Sequence, residues 1–249
     1  QVNYPVHLKF NTGLNRLGFN ETEVDKIVLE LNSTSTIKVA SLFSHLAASE
    51  DLTEKDFSES QITSFRNIAK NISSKLNYQP KLHMSNTSGI LNYPDAQFDM
   101  VRSGIGLYGF SNIPEEQKSF SPIAALKSVI SQIHTVKKGD SVGYNRGFKS
   151  ERTIVSATIP IGHADGISRA YGNGKGWVMV RGIKAPIIGN VCMDMMMVNI
   201  TDIVCKEGDE VIVFGADNKA DLLAETIESI SYELLTAISQ RVKRVVYRK

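Results

Sequence analysis

The segment "IPIGHADGISR", residues 159 to 169, sets one imidazole in a tight corner. Strand-forming Ile159 and Ile161 run into Gly162, and His163, Ala164, Asp165 and Gly166 follow as a turn. Imidazole is the side chain whose ordinary titration lies nearest neutral pH, so a histidine at such a corner suits the handling of a proton. Earlier in the chain, Lys9, His45, Asn86 and Arg102 each fall near the end of a strand-like run. A "SGIG" step at 103 to 106 lies beside the last of them, and glycine there would let the backbone approach a phosphate. A pocket rich in His and Arg points to an enzyme acting on an anionic small molecule. These residues alone do not say which one.

The elements that must position these groups alternate from residue 1 to about 110. "VHLKFN" sets Val6, Leu8 and Phe10 against His7, Lys9 and Asn11 at period two. Asn20 with Glu23 predicts a helix cap, followed by Val24, Ile27, Val28 and Leu31 at helical spacing. "TIKVASLFSHLA" reads as a second strand ending in His45. After Thr53, Phe57, Phe65, Ile68 and Ile72 mark one face of a longer helix. "KLHMSNT" is a third strand and "FDMVRSGIGLYGF" a fourth. Strand and helix in rotation imply right-handed βαβ units and a parallel sheet, whose chemistry collects at the C-terminal strand ends. A closed barrel needs eight strands. The expectation for residues 1–120 is therefore the second half of a (β/α)8 barrel, about four strands, with the N-terminal half missing. The chain starts without Met in what reads as the middle of a strand, as a fragment of something longer would.

Beyond the polar linker "PEEQKSFSPIA", short β runs with Gly turns predict a mostly-β C-terminal domain over 121–249, with one helical stretch at 221 to 238. The tail "RVKRVVYRK" alternates basic residues with Val and Tyr, which reads as a strand with one solvated face; a phosphate-binding arm is the lesser alternative. With 28 basic against 26 acidic residues, the net charge of +2 argues against nucleic acid or an anionic membrane as partner. Two cysteines, Cys192 and Cys205, make no disulfide framework and fit a reducing compartment. No run is long enough to span a membrane, and no metal-binding pattern stands out.

Eight segments in order, "HLKFNTGLNRLGF", "SHLAASED", "NTSGIL", "FDMVRSGIGLYGF", "SVGYNRGF", "IPIGHADGISR", "KAPIIGNVCMDMMMVNIT" and "ISYELLTAISQRV", make the whole chain similar to alanine racemases. These are pyridoxal-phosphate enzymes in which a barrel precedes a β domain. The resemblance implies an isomerase of bacterial cytoplasm that interconverts L- and D-alanine for cell-wall peptidoglycan. Two alternatives stand beside it: a broader amino-acid racemase, such as one for serine, and a non-catalytic pyridoxal-phosphate-binding domain. Some racemases of this kind are fused to a cell-wall ligase, which would account for a start in mid-domain.

Carried over residue by residue, the resemblance makes Arg102 the arginine that faces the pyridine nitrogen of the cofactor. A guanidinium keeps its proton, so that nitrogen stays unprotonated and the ring is a weaker electron sink. His45, Asn86, Thr87, Gly104, Ile105 and Tyr232 join Arg102 around the cofactor, with Thr87, the backbone at Gly104 and Ile105, and Tyr232 on its phosphate. Arg16 matches the arginine for the substrate carboxylate, and Lys9 the lysine that is often carbamylated; a carbamate would pair with Arg16. The Met193 N–H would help hold the carboxylate. Tyr171 would line the substrate entrance, with a plain surface tyrosine as the alternative.

The corner departs from the family pattern, which reads Gly-Tyr-Ala-Asp-Gly. That tyrosine is one of two bases that stand on opposite faces of the α-carbon, and here it is His163. Imidazole titrates near ~6.5 and phenol near ~10, which makes imidazole the easier base at neutral pH. It also reaches roughly 2 Å less far from the backbone. Three readings stay open: a working base, an impaired one, or a structural histidine. The other base is the lysine that forms the Schiff base with the cofactor, and no lysine of this chain has its sequence context. The chain alone is thus expected to be inactive. The resemblance further implies a head-to-tail homodimer, with His163, Tyr171 and Met193 acting in the partner's site.

Overall fold

The computed structural model describes residues 3–111 and 113–247, and the chain divides into two units, 1–120 and 121–249. In the first unit β1 (Tyr4–Lys9), β2 (Ile37–Phe43) and β3 (Lys81–His83) form a parallel sheet in that order. The helices α1 (Val24–Ser33) and α2 (Lys55–Ser73) are the crossovers between them. The predicted cap forms: the Asn20 N–H donates to Glu23 Oε2 at 2.8 Å. α2 buries Ile62, Phe65, Ile68 and Ile72 against Phe10, Val39, Leu42 and Met84, each such side chain stabilising the unit by roughly 1.5–3 kcal/mol. Phe57, expected on that face, is exposed. It lies on the loop after β1, where a Cβ at Gly13 would come within 2.9 Å of its ring.

The register places the chemistry. Lys9, Phe43 and His83 are paired across the three strands in one row, at the C-terminal end of the sheet. A bulge keeps that row in phase: Val6 pairs with Val39 but His7 with Ser41, so Ala40 is the extra residue. Val6, Leu8 and Leu42 thereby face the helices while His7, Lys9, Ser41 and Phe43 share the other face.

The expected fourth strand does not form among the described residues. "FDMVRSGIGLYGF" contributes one isolated parallel bridge, Met100 to His83, flanked by Asp99 N–H to Leu82 O (3.1 Å) and Arg102 N–H to Ser85 O (3.0 Å). Phe98 enters with a left-handed φ of 51° and Gly104 leads into a 3-10 turn, Ile105–Tyr108, which leaves too short a span for a ladder. Among the described residues of this unit the count is three strands, not four. Two further short helices, α3 (Thr87–Asn92) and α4 (Pro114–Gln117), complete this unit.

The second unit is built on β4 (Leu126–Val129), β5 (Gln132–Val136), β6 (Ser141–Val142), β7 (Phe148–Lys149), β8 (Ile154–Ile159), β9 (Trp177–Val180), β10 (Ile183–Ile188), β11 (Met196–Asn199) and β12 (Glu210–Phe214). Seven of them pair in the order β4-β12-β9-β10-β11-β8-β5, every pair antiparallel, and β6 pairs with β7. Residues 221 to 238 form two helices, not one: α5 (Ala220–Glu225) and α6 (Ser231–Ala237). Glu228 adopts a left-handed φ of 57°, and the Ser229 N–H returns to Ala224 O at 3.1 Å, which ends the first helix.

The tail also differs from expectation. Its alternating Val and basic residues make no strand over 241–247. Instead Val242 N–H closes a turn on Ser239 O (3.1 Å), and Arg244 donates to the carbonyls of Ile238 and Val242 at 2.7 Å. Arg248 and Lys249 lie outside the described residues. No helix among the described residues is long and apolar enough to cross a membrane.

Candidate active site

In the first unit, Arg102 is the centre of a hydrogen-bonded cluster at the strand ends. Its Nη2 donates to Ser44 O (2.8 Å), His45 Nδ1 (3.0 Å) and Met84 O (3.2 Å), and its Nη1 donates to His83 Nδ1. Beyond it the chain continues from His83 Nε2 to Ser41 Oγ (2.9 Å) and on to His7 Nδ1 (2.5 Å). The Phe43 ring stacks on His83 with centroids 4.9 Å apart and carries the Arg102 guanidinium at 5.3 Å and the Lys9 ammonium at 6.0 Å. Burial, and then the charge of Arg102, push His45 and His83 down to about 4, so both rings are neutral at physiological pH. Arg16 and Lys9 add to the effect on His45.

Lys9, Arg16 and Arg102 share this end of the sheet, and among the described residues none has an acidic partner. Burial and the charges of Arg16 and Arg102 lower the pKa of Lys9. Arg16 is brought there by a closed loop, in which Asn11 N–H donates to Phe19 O (2.8 Å) and Phe19 N–H to Lys9 O (2.9 Å).

Next to the cluster, the hydroxyl of Thr87 accepts from the N–H groups of Gly104 (3.1 Å) and Gly106 (3.2 Å). A hydroxyl that accepts twice has its own proton free to donate. The Ile105 N–H makes no bond among the described residues. The Thr87 hydroxyl at the start of α3 and the Ile105 N–H at the start of its 3-10 turn are donors of the kind an anion requires. The Asn86 side chain caps α3 through the Gly89 N–H (2.9 Å) and accepts from Ser49 Oγ (2.7 Å); its role is to hold the helix start in place. Tyr232 lies on α6 in the second unit.

In that second unit His163 is exposed at the head of a 3-10 turn, His163–Asp165, held from behind. The His163 and Ala164 N–H groups donate to the carbonyls of Cys192 and Met193, both at 2.9 Å. Asp165 accepts from the Gly162 N–H at 2.8 Å and from Arg241 Nε at 2.7 Å. Burial pushes its carboxyl upward, but the Arg241 and Gly162 hydrogen bonds outweigh that and hold it below the usual range. Met193 is 59% exposed, and its N–H makes no bond among the described residues. Tyr171 is not a surface residue: it is 1% exposed, and burial followed by the Glu233 carboxylate push its phenol up to about 12. Tyr171 and His163 line one cavity of about 290 Å3 that also takes in Ser229, Glu233 and Ala237.

Residues 1–112 match the family model for the alanine racemase N-terminal domain, and residues 123–246 match the model for its C-terminal domain. This chain belongs to the alanine racemase family. The N-terminal-domain match corrects the expectation of a missing half to this extent: sequence of both racemase domains is present. Alanine racemase 1 of Clostridium acetobutylicum is 36% identical over 252 residues, covering 96% of this chain and 64% of that protein. The chain thus spans about 64% of the length of that relative. The crystal structure of alanine racemase from a D-cycloserine-producing Streptomyces lavendulae superposes with a TM-score of 0.90 at 27% identity, over 100% of this chain and 67% of that one. Alanine racemase from Bartonella henselae, with covalently bound pyridoxal phosphate, gives 0.83 at 29% identity, over 97% and 66%.

Within this racemase fold, the first unit brings together the strand-end residues Lys9, His45, Asn86 and Arg102 with Arg16, Thr87, Gly104 and Ile105. His163 and Met193 come together in the second. The sequence reading missed His83, Ser41, Phe43 and Arg241. The signal for the first three was their place in strands beside recognised site residues; Arg241 carried none.

Proposed function

We propose that this chain supplies the later part of the barrel domain and the C-terminal domain of an alanine racemase, which interconverts L- and D-alanine with pyridoxal phosphate. The observation that carries the reading is the cation cluster of Lys9, Arg16 and Arg102, without acidic partners among the described residues, beside the Thr87 hydroxyl and the Ile105 N–H. The group fits these residues. Of the five N–H donors of a guanidinium, His83 takes one on Nη1 while Ser44, His45 and Met84 share the two on Nη2, so that among the described residues Nε–H and the second Nη1–H of Arg102 are left for a ring nitrogen. The Thr87 hydroxyl and the Ile105 N–H would take the phosphate.

Bound there, pyridoxal phosphate supplies an electron sink that makes the α-proton of an amino acid removable. Arg16 and the Met193 N–H hold the substrate carboxylate. His163 takes up or returns the α-proton at a ring nitrogen on one face of the substrate; a lysine outside this chain serves the other face. Arg102, which does not release its proton, keeps the cofactor nitrogen unprotonated and so limits side reactions. Lys9, with its lowered pKa, has a larger share of neutral amine to combine with CO2 as a carbamate, releasing one proton. The resulting anion pairs with Arg16. A carbon-13 resonance that appears with labelled bicarbonate in the wild type and not in Lys9→Gln tests it.

The working unit is a head-to-tail homodimer in the bacterial cytoplasm, in which His163, Tyr171 and Met193 of one subunit serve the partner's cofactor. The product feeds cell-wall peptide synthesis. The deciding experiment is racemisation of alanine and serine by the protein with its remaining barrel sequence, comparing wild type with His163→Tyr and His163→Ala. The proposal expects His163→Ala to lose on the order of 100-fold or more in kcat. Wild-type turnover no faster than His163→Ala removes His163 as the base, and faster turnover of serine than of alanine changes the substrate.

A further inference from the structure

Arg241 joins the two loops that present His163 and Met193. Its Nε donates to Asp165 Oδ1 at 2.7 Å and its Nη2 to Asp194 Oδ1 at 2.5 Å. Asp165 belongs to the corner and Asp194 directly follows Met193. Nε and one Nη form the edge of a guanidinium that ordinarily grips a single carboxylate with two parallel bonds. Here that edge is split between carboxylates on separate loops, so the rigid plane sets the distance between them.

The surroundings deliver the guanidinium in a fixed place. Ser239 N–H donates to Asp165 O at 3.0 Å, Val242 N–H turns back on Ser239 O at 3.1 Å, and Arg244 covers the carbonyls of Ile238 and Val242. The corner itself is closely fitted: a Cβ on Gly162 would lie 2.4 Å from Cys192 O, and one on Gly166 2.3 Å from Ala237 O. Backbone bonds from His163 and Ala164 join the loops at their base. Past that base the Cys192 N–H closes the turn on Met195 O at 2.8 Å, and among the described residues the Arg241 bridge is the one side-chain contact of Asp194, which is exposed and would be well solvated without a partner. An exposed pair of this kind adds little to stability. What it adds is geometry.

We infer that Arg241 is a positioning residue that fixes the separation between the proton carrier His163 and the carboxylate-holding N–H of Met193. The inference rests on the roles proposed above for those two residues. Lysine replaces it only in part, because an ammonium is a point charge whose three donors have no planar fork to fix the separation of two carboxylates.

The test begins with amide hydrogen exchange on the full chain. Arg241→Ala is expected to speed exchange at Gly162, His163 and Ala164 on the order of tenfold, with β8 and β11 still protected. Arg241→Lys is expected to recover only part of the protection. Should Arg241→Ala fail to fold, Asp194→Asn changes an exposed side chain only, and is expected to speed exchange at His163 and Ala164 several-fold. Unchanged exchange at those amides in the folded variants overturns the clamp. In the racemisation assay, Asp194→Asn is expected to raise KM more than it lowers kcat, while Arg241→Ala changes both. A fall in kcat alone in both variants overturns the positioning role. Full racemisation by His163→Ala would remove the proton-carrier reading, and the positioning role with it, even where the exchange data uphold the clamp.

Discussion

Arg102 Nη1 and His83 Nδ1 share a hydrogen bond in which only the arginine can donate. The His83 proton therefore sits on Nε2, which donates to Ser41 Oγ, and Ser41 Oγ shares the next hydrogen bond with His7 Nδ1. His45 also accepts at Nδ1 from Arg102, so one guanidinium sets the tautomer of two rings. Arg102→Met is expected to raise the titration midpoints of His45 and His83 from about 4, short of the ordinary value, because burial remains as the larger cause. Histidine NMR titrations of the two proteins check it; midpoints that do not move would show that the charge of Arg102 has no part in the shift.

The same histidines make the first unit acid-sensitive. In the unfolded chain each titrates near ~6.5, whereas folded they hold out to about 4, so between these values the unfolded state binds more protons. Stability is expected to be level above pH ~7, to fall as the pH drops through ~6, and to reach its full loss from this source near 4. Amide exchange of α2 at a series of pH values, corrected for intrinsic rates, measures it. A flat profile across this window would mean that the rings are protonated in the fold.

Thr87 accepts two backbone N–H groups, so Thr87→Val leaves both without a partner, at a cost of about 1–3 kcal/mol each where they are buried. The variant is expected to lose affinity for pyridoxal phosphate, and Thr87→Ser to keep most of it. Absorbance titration of the cofactor compares them; equal binding by Thr87→Val and wild type would place the phosphate elsewhere.

Gly166 has a φ of +106°, and an added Cβ would lie 2.3 Å from Ala237 O. Gly166→Ala is therefore expected to destabilise the second unit by roughly 1–3 kcal/mol or more, from backbone strain together with the clash. Thermal unfolding followed through Trp177, which belongs to β9 of that unit, reads the loss.

What the sequence made legible were side chains whose local pattern already carried their role. Lys9 and His45 stand at the ends of recognisable strands, Asn20 and Glu23 form their cap, and the corner residues lie where "GHADG" puts them. His83 escaped because its role depends on register: β3 is three residues long, too short to show alternation, and only pairing sets His83 beside Phe43 and Lys9. Arg241 was misread because valines alternating with basic residues imitate a strand, while the residues around it are used to close turns. For Tyr171 amid "AYGNGKG", the surface alternative to a place at the substrate entrance came from those glycines. The glycines in fact let the chain close over it, Gly176 so tightly that a Cβ would lie 2.9 Å from that of Tyr171.

Ala40 bears on how homologous chains can differ in length. It is the one residue of β2 in the paired span without a counterpart in β1, and the residues on either side of it already alternate correctly against Val6 and His7. A chain that lost this position would pair the two strands as a regular ladder and still carry Ser41 and Phe43 on the reactive face. Losing any neighbour between Ser41 and Phe43 would turn the rest of the strand over, and send Ser44 and His45 to the wrong side. Alignment gaps tolerated in β2 should therefore gather at this alanine.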